Sequence, residues 1–172
     1  MKNKLLLILA FCFTVGQLMS QDAEQKIGKL IDEWHLAAAE ADFDAYFGRM
    51  TEDAVFIGTD ASENWGIQAF KEFSKPYFDR GKAWSFTATE RHIYLNQEGN
   101  MAWFDELLDT WMGICRGSGV VKLDGEGWKI AHYVLSATIP NDDMDQVIGI
   151  KKEKDSLTLI QLKRNQAKPV KH

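Results

Sequence analysis

The stretch 127–140, Gly-Trp-Lys-Ile-Ala-His-Tyr-Val-Leu-Ser-Ala-Thr-Ile-Pro, constrains the fold more than any other part of the chain. It is long enough for a full-width strand, rich in aromatic and β-branched residues, and closed by a proline. Strict alternation puts Trp128, Ile130, His132, Val134 and Ser136 on one face. Lys129, Ala131, Tyr133, Leu135 and Ala137 share the other. Both faces are mainly apolar, so the pattern predicts a central strand covered on both sides. One face carries an imidazole among large apolar groups, a first pointer to a site.

Ahead of this strand the pattern is helical, then β. Ile27, Leu30, Ile31, Trp34, Ala38 and Ala41 recur at three- and four-residue steps, the apolar stripe of an amphipathic helix. Asp42 reads as the N-cap of a short second helix carrying Phe43, Tyr46, Phe47 and Met50. Residues 52–58 read as a strand and 59–66 as a polar loop holding Trp65. Ile67, Phe70, Phe73 and Tyr77 mark a third helix, which Pro76 kinks or ends. Strands follow at 84–95, 101–111 and 114–123, with turns at 96–100 and 124–127. Short links imply antiparallel pairing. Helices first and a meander afterwards is an α+β order, with helices gathered on one face of a curved sheet. Past Pro140, residues 141–148 read as the cap and start of a last short helix.

Residues 1–20 stand apart. Lys2 and Lys4 precede an apolar run from Leu5 to Val15, and Gly16 to Ser20 form a small or polar cleavage zone. The run is too short to span a bilayer comfortably. The expected organisation is a signal peptide at 1–20, one domain at 21–150 and a basic extension at 151–172. Such a chain is exported, periplasmic or secreted, with no membrane partner once the leader is cut. Cys12 leaves with the leader, and Cys115 alone reads as a small buried apolar residue.

Charge excludes one class of partner. Residues 21–150 carry 11 basic against 23 acidic residues, whereas 151–172 carry seven basic against two acidic. An acidic body does not suit nucleic acid, which needs a basic surface. His35, His92, His132 and His172 are too scattered for a metal site, so none is expected. No glycine-rich phosphate loop or nucleophile elbow is present, and no cofactor is expected.

Several motifs then fall into a familiar order. They are Trp34 in the first helix, Asp42-Phe43 opening the second, and Asp53-Ala54-Val55-Phe56 on the first strand. Gly58-Thr59-Asp60, Glu63, Trp65-Gly66, Ala102-Trp103-Phe104 and Gly127-Trp128-Lys129-Ile130, running on to His132 and Ser136, complete the set. From about residue 27 to 141 the chain resembles the SnoaL-like domains of the nuclear transport factor 2-like superfamily. Residues 42–50 with His132-Tyr133 also resemble another member, the association domain of calcium/calmodulin-dependent kinases. The resemblance implies an α+β cone-shaped roll: a curved antiparallel or mixed sheet, N-terminal helices on its concave face, and an enclosed pocket. It implies that alternate strand residues line that pocket, namely Trp103 with Asp105, Arg116 with Ser118, and His132 with Val134. Trp34, Phe56 and Trp65 add wall or rim, and Glu106 faces away. It also implies a homodimer through the outer sheet face, with Lys129, Ala131, Tyr133 and Leu135 on or near it.

Three functions follow from that arrangement and stay open. The pocket binds a small organic molecule whose polar end meets Asp105, Arg116 and His132. Alternatively the protein is a cofactor-independent isomerase, dehydratase or cyclase. Asp105 or His132 is then the general base, and Arg116 or His132 steadies an oxyanion. A third reading is an oligomerisation module with a vestigial pocket, since this superfold hosts all three.

Overall fold

The computed structural model describes residues 2–125 and 127–166, with side chains at 20–125 and 127–165. Glu126 of the last turn, the end of the basic tail at 167–172, and the side chains of residues 1–19, where a leader is expected, lie outside the described residues. The chain forms two compact units, Met1–Ala137 and Thr138–His172. The first contains α1 (Lys2–Ala39), α2 (Phe43–Gly48), β1 (Met50–Ile57), β2 (Asn64–Gly66), α3 (Ile67–Asp79), β3 (Thr87–Leu95), β4 (Met101–Thr110), β5 (Gly113–Asp124) and β6 (Gly127–Ala137). The second contains a 3-10 turn at Asn141–Asp143 and α4 (Met144–Gln166). Residues 138–150 therefore stand with the extension. α4 is much longer than the short helix expected there. Asp145 in its first turn and Lys163 and Arg164 in its last complement the helix dipole, and most of its residues are good helix formers.

The first unit is a curved, unclosed six-stranded sheet in the order β2-β1-β6-β5-β4-β3. β1 runs parallel to β6 and every other neighbouring pair is antiparallel, so the sheet is mixed. The strand read as central does lie inside the sheet, between β1 and β5, but it is covered on one face only: on the other, His132 and Val134 are half-buried and Ser136 is exposed. Asp42 caps α2 as its position predicted, its carboxylate accepting the Ala45 N–H at 2.9 Å. The loop read around Trp65 contains β2, which pairs Trp65 with Phe56. Three residues are too few for periodicity to reveal a strand.

The concave face packs on the apolar stripe of α1. Ile27, Ile31, Trp34 and Ala38 from that stripe are buried against Ala102, Phe104 and Leu108 of β4, Cys115 and Val121 of β5, and Ile130, Tyr133 and Leu135 of β6. Tyr46, Phe47, Phe70 and Phe78 fill the remainder with rings. Trp34 stacks on Tyr46 with centroids 4.8 Å apart, and Phe56 stacks on Phe70 at 4.1 Å. This much apolar burial is the main driving force for a unit of this size.

Which strand face is concave differs from the sequence expectation. On β4 the buried residues are Ala102, Phe104, Glu106 and Leu108, while Trp103 is 49% exposed. On β5 they are Cys115, Gly117, Gly119 and Val121. The reason is room. A Cβ on Gly117 would lie 2.1 Å from the Tyr133 hydroxyl, and one on Gly119 would lie 2.7 Å from the Phe104 ring. A face bearing Trp103, Arg116 and Ser118 could not admit those groups beneath α1.

β6 reverses parity for a second reason. Val121 pairs with Ile130 but Val120 pairs with His132, so Ala131 is an extra residue in a β-bulge. Ile130 and Tyr133 therefore both face inward, and strict alternation fails between them. Tyr133 and Leu135, expected on the outer face, are core residues, and Ala131 is buried as well.

Candidate functional site

The concave face of β4 carries one charged side chain, Glu106, and the fold closes over it. Glu106 is 1% exposed, and three side chains from three other elements converge on it. From α1, His35 Nε2 lies 2.8 Å from Oε1. From β6, the Tyr133 hydroxyl donates to the same oxygen at 2.9 Å. From β3, Arg91 Nε donates to Oε2 at 2.9 Å. Arg91 Nη2 is 2.8 Å from Oε2 at a poor hydrogen-bonding angle, so that contact is ionic. Arg91 Nη1 reaches back to α1, donating to the Asp32 carboxylate at 2.8 Å and the Gly28 carbonyl at 3.2 Å.

Local structure explains the convergence. His35 follows Trp34 on α1 and is 6% exposed, its ring tilted against the indole at 5.1 Å. Arg91 and Glu106 are register partners across β3 and β4, and Glu106 and Gly117 are partners across β4 and β5. Gly117 leaves the gap through which Tyr133 reaches the carboxylate, because a side chain there would meet both groups.

The electrostatics follow from the partners. Burial by itself raises the Glu106 pKa, but the hydrogen bond and charge of His35 and the charge of Arg91 outweigh it and hold the carboxyl below its usual value. For Arg91, burial disfavours the charged form, yet the Glu106 and Asp32 carboxylates win and raise its pKa. Burial, reinforced by the Glu106 charge, pushes the Tyr133 phenol well above its ordinary value, so it stays a neutral donor. An ionised carboxylate needs a donor from His35, so Nε2 carries the proton. The other ring nitrogen, Nδ1, makes no hydrogen bond to any described residue. An imidazole held in place by a carboxylate, with its other nitrogen unpartnered among the described residues, is arranged to exchange a proton or to meet the polar end of a ligand.

The residues expected in the pocket divide between the faces. Trp34 and Phe56 lie in the core, and Trp65 is half-buried at its edge, stacked on Phe70 at 5.8 Å. The others sit together on the outer face. Trp103, Val120 and His132 form one row across the sheet, and Asp105, Ser118 and Val134 form the next. Arg116 lies opposite Leu107 in the row beyond. Tyr94 stacks on Trp103 at 5.9 Å, and Asp105 bonds His92 Nδ1 at 3.1 Å rather than Arg116. Glu106, expected to face away from the interior, is at its centre.

The residues that the sequence did not single out are His35, Arg91, Glu106 and Tyr133. One signal pointed to them: glycines two apart in β5, at 117 and 119, mark the face that large groups approach. Among the described residues no group of three or more His, Cys, Asp or Glu is placed to hold a metal ion. A cleft of about 950 Å³ runs along α1 past Lys26, Leu30, Leu95 and Trp128, but it shares no residue with the Glu106 centre.

Comparison with known proteins agrees with the geometry of the fold. No curated protein sequence matches the chain. Among solved structures, a candidate dehydratase of the nuclear transport factor 2-like family from Streptomyces avermitilis superposes with TM-score 0.60 at 14% identity, over 70% of this chain and 99% of that one. A candidate ketosteroid isomerase from Parabacteroides distasonis gives 0.54 at 18% identity, over 66% and 86%. A candidate calcium/calmodulin-dependent protein kinase II association domain from Xanthomonas campestris gives 0.51 at 18%, over 67% and 86%. At these identities the likeness is one of fold. The SnoaL-like domain profile matches residues 27–140, from the core stripe of α1 through the whole of β6, and the chain belongs to that family.

Proposed function

We propose that this SnoaL-like domain is exported and binds a small organic molecule inside the cone, with the polar end of the molecule against His35 Nδ1. The leader at 1–20 motivates the export reading. The observation that carries the binding reading is the Glu106 carboxylate. Three side chains donate to it, it is fully withdrawn from water, and the second nitrogen of the imidazole it holds makes no hydrogen bond to a described residue. A purely structural ion pair needs Arg91 alone. Recruiting His35 as well orients a ring whose other nitrogen has no hydrogen-bond partner among the described residues.

The same observation favours a second reading, a cofactor-independent isomerase or dehydratase with His35 as general base. This replaces Asp105 and His132 in that role, because both stand on the outer face. The outer face, with its Tyr94–Trp103 stack, suits the homodimer expected from the family.

The decisive variant is His35→Gln. Its amide keeps a donor for Glu106 Oε1 and removes the Nδ1 position. Native mass spectrometry of the full chain purified from its exported compartment should show a small molecule retained by the wild type and lost from His35→Gln. A variant that retains the molecule unchanged overturns the assignment. If a substrate is identified, loss of turnover with binding kept within a few-fold selects the enzyme reading.

A further inference from the structure

Residues 82–86 join α3 to β3, and side chains rather than backbone hold them. Gly81, at φ +69°, ends the helix, its N–H bonding the Phe78 carbonyl at 2.8 Å, and the Lys82 N–H bonds the Tyr77 carbonyl at 3.2 Å. From Ala83 to Phe86 no hydrogen bond to a described residue is made, and the β3 ladder begins only at Thr87. Two rings fasten this strap. Trp84 packs on Tyr46 at 5.6 Å, Phe70 at 5.9 Å and Phe78 at 5.4 Å, and Phe86 meets the His35 ring edge-on at 6.2 Å.

The rings cover a core with unsatisfied polar atoms. Trp34 Nε1, the Tyr46 hydroxyl and Ser74 Oγ are fully buried and have no hydrogen-bond partner among the described residues. Ser74 lies one helical turn from both Phe70 and Phe78, so it sits on the face of α3 that Trp84 covers. The Tyr46 hydroxyl feels the Trp84 indole without a bond of good geometry, and burial drives its pKa well up. Two of these orphaned atoms, on Tyr46 and Ser74, belong to the wall that Trp84 covers, and unsatisfied polar atoms are costly in a buried core. They span both directions of hydrogen bonding: the indole N–H donates, and the two hydroxyls donate or accept.

We propose that the strap 82–86 is an internal plug, and that Trp84 occupies the place of a planar, oxygen-bearing ring compound of about the size of an indole. The inference rests on the binding reading above and names the ligand's class. When the strap swings out from Gly81, the slot it leaves is walled by Phe70 and Phe78. Tyr46 and Ser74 offer hydrogen bonds to ring oxygens; Trp34 stacks behind Tyr46 at 4.8 Å, and His35 stands beyond it, 5.1 Å from the Trp34 ring. An unsubstituted ring leaves the polar atoms as unsatisfied as the plug does, so the slot selects hydroxyl or carbonyl substituents.

The test uses 2-naphthol and naphthalene as probes on the full chain, wild type and Trp84→Ala, with tryptophans labelled by 5-fluorotryptophan. Trp84→Ala should bind 2-naphthol at least tenfold tighter than the wild type, because the competing side chain is gone. It should prefer 2-naphthol to naphthalene at least tenfold, and Ser74→Ala with Tyr46→Phe in that background should erase the preference. In the wild type, saturating 2-naphthol should move the Trp84 fluorine resonance, assigned by its absence in Trp84→Phe, to a solvent-exposed position. That measurement decides by itself if Trp84→Ala does not fold. Equal affinity for both probes overturns the proposal, as does wild-type binding with Trp84 unmoved. The latter leaves the binding reading intact, since His35→Gln tests that reading separately. Folded protein that binds 2-naphthol in neither form overturns the ligand class.

Discussion

Glu106 and Asp105 leave β4 on opposite sides of the sheet, and the two carboxylates live by different rules. Glu106 is desolvated and holds His35, Tyr133 and Arg91 around it. Asp105 meets His92 at 3.1 Å in a half-open setting, with side-chain exposures of 36% and 50%. Inside, each partner is needed because a charge or polar group left alone there is expensive. Outside, water and salt stand ready to replace any partner. The outer face has more of the residue types from which a site is usually guessed, and the inner face has the carboxylate that holds an imidazole in place.

The contrast is broken most severely at Glu106. Replacing it by Ala strips Arg91, His35 and Tyr133 of their common acceptor and should cost about 3–5 kcal/mol in chemical denaturation. Its pH dependence has a definite sign. The folded carboxyl titrates below its unfolded value, about 4.3, so its stabilisation is present above that value and lost as pH falls through the lowered one. The variant should therefore show a flatter loss of stability in acid than the wild type. A variant that melts with the wild type, or an unchanged acid limb, would remove the charged network from the account of stability.

A smaller effect is expected from filling the gap that lets the network form. Gly117→Val places a side chain where even a Cβ comes 2.1 Å from the Tyr133 hydroxyl and 2.9 Å from Glu106 Oε1. A loss of about 1–3 kcal/mol should accompany it, and the His35 ring resonances should shift as the carboxylate is displaced. Val at 117 with unchanged stability and unchanged His35 signals would contradict the close approach.

The smallest effect belongs to the outer face. Asp105→Asn should change stability by less than about 1 kcal/mol, because an exposed pair is screened. A loss comparable to that of Glu106→Ala would mean that the outer face is buried in solution by another surface. Sedimentation of the wild type against Trp103→Lys would then identify that surface.

Much of the fold was legible in local pattern. The stripe of α1, the Asp42 cap and the strands at β3 to β6 follow from periodicity and turn chemistry, which depend on neighbours in sequence. β2 was not, being only a short edge segment that Phe56 and Trp65 bring together across a loop. Nor was the centre. Alternation says that Trp103 and Asp105 share a face and that Phe104 and Glu106 share the other; it does not say which face is covered.

The sequence by itself determined the elements, their order, the α+β class and the two sets into which each strand's residues fall. It also held, in Gly117 and Gly119, the mark of a close approach. The tertiary structure alone decided which set meets α1, because that choice depends on volumes from elements far apart in the chain. Tyr133 needs the space at Gly117, and His35 lies 71 residues from the carboxylate it bonds. A single extra residue in β6, Ala131, turned His132 outward and Tyr133 inward, and such a shift shows only in strand pairing. Desolvation then turned an unremarked glutamate into the centre of the molecule, since burial belongs to the packed chain and to no residue alone.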